Sequence, residues 1–317
     1  MRIFFCGSGS FGIPCLEALR LSEHEIVHIV TQPAHKAGRG RKLRPTDVAQ
    51  WAQEHNVPYS EFANINSDES MELARSLKPD LFVVIAFGQK ISQDFISIAT
   101  HEAINVHGSL LPAYRGAAPI NWAIINGEDH TGVTIITLAE RMDAGLMLGK
   151  SRIPILSDDN ASTVHDKLAN ISAPLLLETI DKIADGTVIH EVQDESEVTI
   201  ARKLKKSDGV IDWTESAKRI ANKVRGFWPW PEAQTWYRAG CTGKVIRVII
   251  AAAEAVERCG GGAAGSFDEN MNVVCGSGAL KIHFLKPDNS HLMDFKSFEN
   301  GRCGGPDDLF LSSEPAL

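Results

Sequence analysis

A run of seven apolar residues at positions 81–87, Leu-Phe-Val-Val-Ile-Ala-Phe, limits the fold of this chain more than any other feature. Such a continuous, partly β-branched run is typical of a strand that is covered by helices on both faces. Further strand patterns alternate with amphipathic helix patterns, at residues 3–6, 25–30, 103–107 and 133–138. This alternation predicts an α/β fold with a doubly wound, mostly parallel, Rossmann-like sheet. A long helix pattern at residues 162–185 follows, and we expect Pro174 to interrupt it.

The second half of the chain has a different pattern, which indicates a second domain. A length of 317 residues suits two domains better than one. After a helix pattern at residues 217–227, several short strand patterns alternate with turns, as in a small β-barrel of the OB-like kind. We therefore predict a first domain at residues 1–190, a basic linker at residues 191–207 and a smaller C-terminal β-barrel domain at residues 208–317.

Composition excludes several classes of protein. Hydrophobic residues make up 44% and charged residues 23% of the chain, as in ordinary globular proteins. No stretch approaches the roughly 18 apolar residues of a membrane span, and the first residues lack a signal-peptide pattern, so we expect a cytoplasmic protein without membrane contact. The six cysteines lack the spacing of a metal site, so we expect free thiols and no metal. The net charge of −8 argues against uniform binding to nucleic acid.

A glycine motif follows the first strand pattern. Residues 7–12, Gly-Ser-Gly-Ser-Phe-Gly, match the G-x-G-x-x-G sequence of dinucleotide-binding proteins. Such a site also needs an acidic residue near the end of the second strand, but residues 26–46 contain neither Asp nor Glu. We therefore interpret the motif as a turn that allows close packing of strand and helix. A nicotinamide-dependent oxidoreductase stays an alternative.

Three polar residues form a candidate site. Asn105 and His107 lie two residues apart at the carboxyl end of a strand pattern, so their side chains point to the same face. An amide and an imidazole can donate hydrogen bonds to a developing oxyanion, although a polar strand end with satisfied side chains has the same pattern. Asp143 follows the next strand pattern, so we expect its carboxylate at the end of a neighbouring strand, beside His107, where it would orient the ring.

The sequence around this site is similar to that of a known family. The matching residues are Asn105-x-His107-x-Ser109-Leu110-Leu111-Pro112, with Asp143-x-Gly145 downstream. This run resembles the signature of the formyltransferases that use 10-formyltetrahydrofolate. The resemblance extends to about residue 302, includes residues 37–43 and 227–231, and is greatest to the members that act on methionyl-tRNA. Residues 6–11 and Ala144 depart from the usual family sequence but leave the three polar positions intact.

The resemblance implies an activity and a set of binding residues. It implies transfer of the formyl group of 10-formyltetrahydrofolate, a co-substrate, to the α-amine of initiator methionyl-tRNA, by a chain that we expect to be a monomer. It assigns catalysis to Asn105, His107 and Asp143 without a metal. It assigns the folate to two turns, comprising Phe87, Gly88, Gln89, Ser109, Leu110, Leu111 and Pro112. The alternatives are transfer to a small amine, such as glycinamide ribonucleotide or an amino sugar, and an RNA-binding protein whose first half is inert.

Two groups of cations are candidates for contact with tRNA phosphates. The first lies in a glycine-containing loop and comprises Lys36, Arg39, Arg41, Lys42 and Arg44. The second lies in the linker and comprises Arg202, Lys203, Lys205 and Lys206. A charge run is often only a solvated loop, but cations of one sign in an acidic protein favour a local phosphate-binding patch. We assign Trp228, Trp230 and Trp236 to a core at the domain interface rather than to a base-stacking surface.

Overall fold

The structure is a computed structural model that describes residues 1–37, 42–302 and 307–314. The chain divides into two compact units. The first, which we call the sheet unit, contains Met1–Gly116, His130–Pro154 and His165–Ala201. The second, which we call the barrel unit, contains Ala117–Asp129, Ile155–Val164 and the described part of Arg202–Leu317.

The secondary structure of the sheet unit is mixed, with strands and helices alternating. Its strands among the described residues are β1 (Arg2–Gly7), β2 (Glu25–Thr31), β3 (His35–Ala37), β4 (Lys42–Arg44), β5 (Tyr59–Glu61), β6 (Leu81–Ile85), β7 (Ala103–His107), β8 (Arg115–Gly116), β9 (His130–Thr137), β10 (Met147–Pro154) and β11 (Ile200–Ala201). The α-helices of the whole described chain are α1 (Ile13–Arg20), α2 (Asp47–Glu54), α3 (Asp68–Leu77), α4 (Gln93–Ile96), α5 (Pro119–Asn126), α6 (Ala161–Ala184), α7 (Ala217–Gly226) and α8 (Phe295–Arg302).

Seven of these strands form one sheet in the order β10-β9-β7-β6-β1-β2-β5. The strands β7, β6, β1, β2 and β5 are parallel to one another. β9 is antiparallel to both of its neighbours, β7 and β10. All five residues of β6 are buried, as predicted for a strand covered on both faces. The predicted doubly wound, mostly parallel sheet is therefore confirmed. Because β1, β2, β6 and β7 are parallel, their carboxyl ends meet at one edge, where open α/β sheets bind ligands.

Helix α6 corrects one prediction. The sequence predicts an interruption at Pro174, but the helix continues through it from Ala161 to Ala184. A proline inside a helix costs about 3 kcal/mol, because it removes a backbone donor and crowds the preceding turn. Leu168 and Leu176, on either side of the proline, are fully buried. Burial of two such side chains contributes roughly 3–6 kcal/mol, which offsets that cost.

The barrel unit contains an antiparallel sheet that is nearly closed. Its strands are β12 (Ala233–Arg238), β13 (Val245–Val256), β14 (Val273–Val274), β15 (Ala279–Pro287), β16 (Met293–Asp294) and β17 (Leu309–Leu311). They follow the order β14-β15-β13-β12-β17, with β16 beside β15. The two outer strands, β17 and β14, are linked through residues 266–267. Ser266 forms a single bridge to Leu309 of β17, and Phe267 forms one to Val273 of β14. The core includes Trp213, Tyr237, Phe298 and Phe310. The predicted small β-barrel is confirmed.

The described cysteines are free thiols, as predicted; they are Cys6, Cys15, Cys241, Cys259 and Cys275. Within residues 1–37, 42–302 and 307–314, no helix has both the length and the apolar character that a bilayer crossing needs. The same ranges contain no group of three or more His, Cys, Asp or Glu side chains that could hold a metal ion.

Candidate active site

Asn105 and His107 occupy the carboxyl end of β7, in the sheet unit. Asn105 is paired with Val84 of β6 and Ile136 of β9, and His107 is paired with Thr134 of β9. Their side chains point to the same face of the sheet, because one residue separates them and side chains alternate between the two faces along a strand. Asn105 is half-buried, and its amide makes no hydrogen bond to any described residue. That amide is therefore free to donate to a substrate oxygen.

Asp143 lies in the loop between β9 and β10, and the structure brings it to His107. Its Oδ2 atom is 3.6 Å from Nδ1 of His107, and the two side chains are only 13% and 6% exposed. The same Oδ2 atom accepts a 2.8 Å hydrogen bond from the backbone N–H of Gly116. The backbone of Asp143 is left-handed, with a φ of 54°. The loop conformation and the Gly116 hydrogen bond together direct the carboxylate toward the imidazole.

The route by which Asp143 reaches His107 differs from the expected one. The prediction treats β9 as a parallel strand, which would end at the same edge as β7. Instead β9 is antiparallel to β7, with Thr137 opposite Ile104, so β9 ends beside the beginning of β7. The contact exists because the loop at residues 138–146 returns toward the carboxyl end of β7.

One ring nitrogen of His107 is already used by the protein. Nε2 lies 3.0 Å from the carbonyl oxygen of Tyr114. Because a carbonyl oxygen can only accept, Nε2 carries the proton and donates it. Nδ1 faces the Asp143 carboxylate at 3.6 Å, a distance too long for a hydrogen bond. His107 can donate from Nε2 to a substrate oxygen only when the Tyr114 contact opens.

The turn after β6 presents backbone rather than side chains. Ala86 and Gly88 are exposed and have positive φ angles of 46° and 76°. Phe87 is buried in the core on one face of the sheet. The Gln89 amide is used at both ends, because it bonds to backbone atoms of residues 62 and 65. Of the three predicted folate residues here, Gly88 is the one that can face a ligand, through its backbone.

The second predicted folate segment is a rigid turn after β7. The hydroxyl of buried Ser109 donates a 2.7 Å hydrogen bond to the carbonyl of Ala113. Leu111 is 1% exposed and packs in a buried apolar cluster rather than on a pocket wall. Leu110 and Pro112 are half-buried. Their apolar surface and the exposed backbone after β6 fit a flat heterocycle that has polar edges.

A cavity of about 410 Å³ lies at the carboxyl ends of β1, β2 and β6. Its wall includes Ser8, Gln32, His35, Arg44 and Gly88. The Ser8 hydroxyl accepts a 3.1 Å hydrogen bond from the backbone N–H of Gln32. Gln32 and His35, which line this cavity, were not predicted as site residues. The signal available for Gln32 was its position directly after the second strand of a parallel sheet, where such sheets bind ligands.

The described part of the first cationic group lies on two short paired strands. β3 and β4 pair antiparallel, with Lys36 opposite residue 43 and Lys42 opposite residue 37. Arg44, at the end of β4, is exposed. Arg39 and Arg41, and the side chains of Lys36 and Lys42, lie outside the described residues. Arg44 is thus the cation of this group whose side chain the structure describes.

The second cationic group contains one residue that is already paired. Arg202 donates two hydrogen bonds of 2.8 Å to the carboxylate of Asp208, and this pairing raises the pKa of Arg202. The charge of Arg202 is therefore largely compensated within the barrel unit. Lys203, Lys205 and Lys206 are exposed. These three lysines are the members of the group that are best placed to meet phosphate.

The tryptophans near residue 230 lie outside the buried core cluster of the barrel unit. Trp230 is 54% exposed. It lies in the turn that follows α7, where no helix or strand directs it inward. Trp228 and Trp236 are half-buried.

Comparison with known proteins gives matches along most of the chain. A formyl transferase family model matches residues 1–180, and a formyl transferase C-terminal domain model matches residues 203–302. The methionyl-tRNA formyltransferase of Geobacter sulfurreducens is 42% identical over 290 residues, covering 90% of this chain and 89% of that protein. The methionyl-tRNA formyltransferase of Methylococcus capsulatus is 39% identical over 306 residues, covering 96% and 97%.

Solved structures share the fold at lower identity. HypX from Aquifex aeolicus in complex with tetrahydrofolic acid has a TM-score of 0.60 at 18% identity, covering 94% of this chain and 47% of that chain. The N-formyltransferase from Helicobacter canadensis in complex with folinic acid and dTDP-3-aminofucose has a TM-score of 0.65 at 15% identity, covering 89% and 98%. The two family models and the relatives at 42% and 39% identity show that this chain belongs to the methionyl-tRNA formyltransferase family, a family of formyl-group transferases.

Proposed function

We propose that this chain transfers the formyl group of 10-formyltetrahydrofolate to the α-amine of initiator methionyl-tRNA, forming N-formylmethionyl-tRNA for translation initiation. One observation carries the proposal: the Asp143 carboxylate lies 3.6 Å from the ring of His107. His107 belongs to β7, and the amide of Asn105 on the same strand has no hydrogen-bond partner among the described residues. The identity of 42% with a relative of that name, along 90% of this chain, favours a tRNA acceptor over a small amine.

The roles of these residues follow from the charges that the reaction develops. The amine nitrogen bonds to the formyl carbon, and the bond from that carbon to the folate nitrogen breaks. The amine loses one proton and the folate nitrogen gains one. We assign stabilisation of the formyl oxygen, which becomes negative during the attack, to the Asn105 amide and a His107 N–H. We assign to Asp143 the orientation of His107 and help in removing the proton of the amine.

We assign the folate to the turns after β6 and β7. Gly88 would contact it through backbone groups, and Leu110 and Pro112 through apolar surface, because all three are at least partly exposed. The other predicted residues, Phe87, Gln89, Ser109 and Leu111, would hold the shape of the two turns. The N10-formyl group supplies an activated carbonyl, so the role of these residues is to orient it.

We assign the tRNA phosphates to the two cationic groups. The exposure of Arg44, Lys203, Lys205 and Lys206 supports this assignment. Their local positive charge contrasts with the net charge of −8, and phosphate binding depends on such local charge.

We also propose a cytoplasmic monomer, with a catalytic domain at residues 1–190, a linker at residues 191–207 and a tRNA-binding domain at residues 208–317.

The test is a panel of acceptors and donors with the purified full chain. Each acceptor is supplied with 10-formyltetrahydrofolate, and formylated product is measured by mass spectrometry. We expect rapid formylation of methionyl-tRNA and at least 100-fold slower formylation of glycinamide ribonucleotide and of amino sugars. The 5-formyl isomer of the folate serves as donor control and should give no product. Preferred formylation of a small amine would overturn the proposed acceptor, and a reaction with the 5-formyl isomer would overturn the proposed donor.

A further inference from the structure

A buried glutamine holds the loop that carries Asp143. Gln193 is 5% exposed and belongs to the sheet unit. Its side-chain Nε2 donates hydrogen bonds of 2.8 Å to the backbone carbonyls of both Asp143 and Gly145. An amide NH₂ group has two protons to donate, so these two bonds use its full donor capacity. Gln193 therefore ties the loop together on both sides of residue 144.

An arginine fixes the orientation of this glutamine. Nε of Arg115 donates a 2.9 Å hydrogen bond to Oε1 of Gln193, which directs the amide nitrogen toward the loop. Arg115 is 3% exposed, and its charge is balanced by Glu195, which accepts a 2.8 Å hydrogen bond from Nη2. Arg115 and Arg141 lower the pKa of the Glu195 carboxyl, so Glu195 stays ionised. The buried guanidinium is thus paired through Nη2, and its Nε donor binds Gln193.

The segment at residues 114–116, which contains Arg115, contacts both His107 and Asp143. The backbone carbonyl of Tyr114 accepts the hydrogen bond from His107, and the backbone N–H of Gly116 donates to the Asp143 carboxylate. Arg115 and Gly116 form β8, which pairs with β11. The segment that orients Gln193 is therefore the one that sets the distance between His107 and Asp143.

The loop needs such a support because its backbone is under constraint. Asp143 has a left-handed backbone, which is unfavourable for a residue with a Cβ atom. At Gly145, a Cβ atom would lie 1.7 Å from the carbonyl oxygen of Thr137, so the backbone there is closely packed. The hydrogen bonds from Gln193 fall on these two constrained residues.

We infer that Gln193, oriented by Arg115, is a positioning residue that holds the Asp143 carboxylate against His107. This inference rests on the proposed function. Gln193 acts through the Asp143 loop and is not assigned any contact with substrate. Removal of its amide lets the carboxylate move, and a displacement of about 1 Å at a reacting group lowers turnover by up to about 100-fold.

The experiment measures kcat and KM for Gln193→Ala and Gln193→Glu in the full chain. Gln193→Glu keeps the side-chain length and the acceptor for Arg115 but removes both donors, so it tests the hydrogen bonds if the alanine variant folds poorly. We expect kcat to fall roughly 10- to 100-fold in both variants, with KM values for folate and methionyl-tRNA within about threefold of the wild type. Unchanged kcat in the folded variants would overturn the inference.

A matched control separates positioning from general loss of stability. Gln234, in the barrel unit, is also buried, accepts a 2.9 Å hydrogen bond from an arginine Nε and donates to a backbone carbonyl. Gln234→Ala should lower the melting temperature to a similar extent as Gln193→Ala but leave kcat within about twofold. An equal fall of kcat in both variants would mean that lost stability explains the effect, and would overturn the inference.

A double-mutant cycle with Asp143→Asn identifies the residue through which Gln193 acts. If Gln193 acts through the Asp143 carboxylate, Gln193→Ala should lower the single-turnover rate of the Asp143→Asn enzyme by less than about twofold. A full additional loss in that background would overturn the inference and leave the proposed function standing. A normal rate in Asp143→Asn alone would instead overturn the catalytic role of Asp143 in the proposed function.

Discussion

Gly7 is the last residue of β1 and Gly9 lies in the turn that follows, and the space around their α-carbons differs. A Cβ atom on Gly7 would lie 2.6 Å from the Phe5 ring and 2.8 Å from the carbonyl oxygen of Ile85. A Cβ atom on Gly9 would meet nothing closer than Ala86, at 3.7 Å. The first glycine of the motif is therefore required by the packing of β1 against its neighbours. Packing thus explains Gly7, the first glycine of the motif, without a nucleotide.

Alanine substitution at these two positions should have unequal effects. Gly7→Ala forces the Phe5 ring and a backbone carbonyl apart, so we expect the free energy of unfolding to fall by about 1–3 kcal/mol. Gly9→Ala creates only an ordinary contact, so it should change the free energy by less than about 0.5 kcal/mol. Urea unfolding of the two variants measures both values. Equal losses would contradict the packing explanation.

His28 makes the stability of the sheet unit depend on pH. It is 8% exposed, its Nε2 lies 2.9 Å from the Ser60 hydroxyl, and its ring is 5.8 Å from that of Phe4. Burial lowers the pKa of His28. The folded state therefore favours the neutral ring, whereas the unfolded chain takes up a proton below about pH 6.5. The stability that neutral His28 contributes is present above that pH and is lost as the pH falls toward its lowered folded-state pKa.

Replacement of His28 should reduce this acid sensitivity. We expect the free energy of unfolding of the wild type to fall between pH 7.5 and pH 5.5, and that of His28→Gln to fall less over the same range. The exposed His130 provides a control, and His130→Gln should keep the wild-type pH dependence. Denaturant unfolding at several pH values measures the slopes. Identical slopes for His28→Gln and the wild type would rule out this source of pH dependence.

At the scale of the element, buried strands were predictable and edge strands were not. All five residues of β6 are buried, which requires the apolar run that the sequence displays. β10, an edge strand, buries only its first two residues and then alternates between half-buried and exposed ones, among them Lys150 and Arg152. β5 has three residues and none is fully buried. Such strands are held by backbone hydrogen bonds, which leave no apolar pattern to recognise.

Only part of the candidate site was predictable, namely the part that follows from the geometry of a strand. Asn105 and His107 are two residues apart at a strand end, so their common face follows from strand geometry alone. The position of Asp143 depends on the loop after an antiparallel strand, and its contact with His107 was predicted from an incorrect strand direction. Gln193 was not predictable, because its donors bind backbone carbonyls, which every residue has.

The first cationic group gives a prediction for tRNA binding. We expect Arg44→Ala and Arg39→Ala each to raise the KM for methionyl-tRNA by roughly three- to tenfold without changing kcat, because each removes a phosphate contact. Each should also reduce the slope of log KM against log salt concentration by about one. Arg75→Ala, on an exposed position of α3, serves as the control. An unchanged KM and salt slope in both the Arg44 and the Arg39 variant would contradict the assignment.

For the whole molecule, charge and family membership point to local rather than uniform recognition of RNA. A net charge of −8 repels a polyanion over most of the surface, so attraction must come from a few exposed cations. Exposed cations occur in both units, with Arg44 in the sheet unit and Lys203, Lys205 and Lys206 in the barrel unit. The two family models likewise cover both halves of the chain. We therefore expect the acceptor preference to depend on both units, whereas the chemistry depends on the sheet unit.

The most direct test of that chemistry is the single-turnover rate of formyl transfer to methionyl-tRNA at saturating 10-formyltetrahydrofolate. Asn105→Ala, His107→Ala and Asp143→Ala should each lower this rate by about 10²- to 10³-fold, since each removes a group that acts on the developing charge or its proton. Each variant should keep the wild-type circular dichroism spectrum. A folded variant that retains a near-normal rate would contradict the assignment of its residue, and near-normal rates in all three would contradict the account of catalysis.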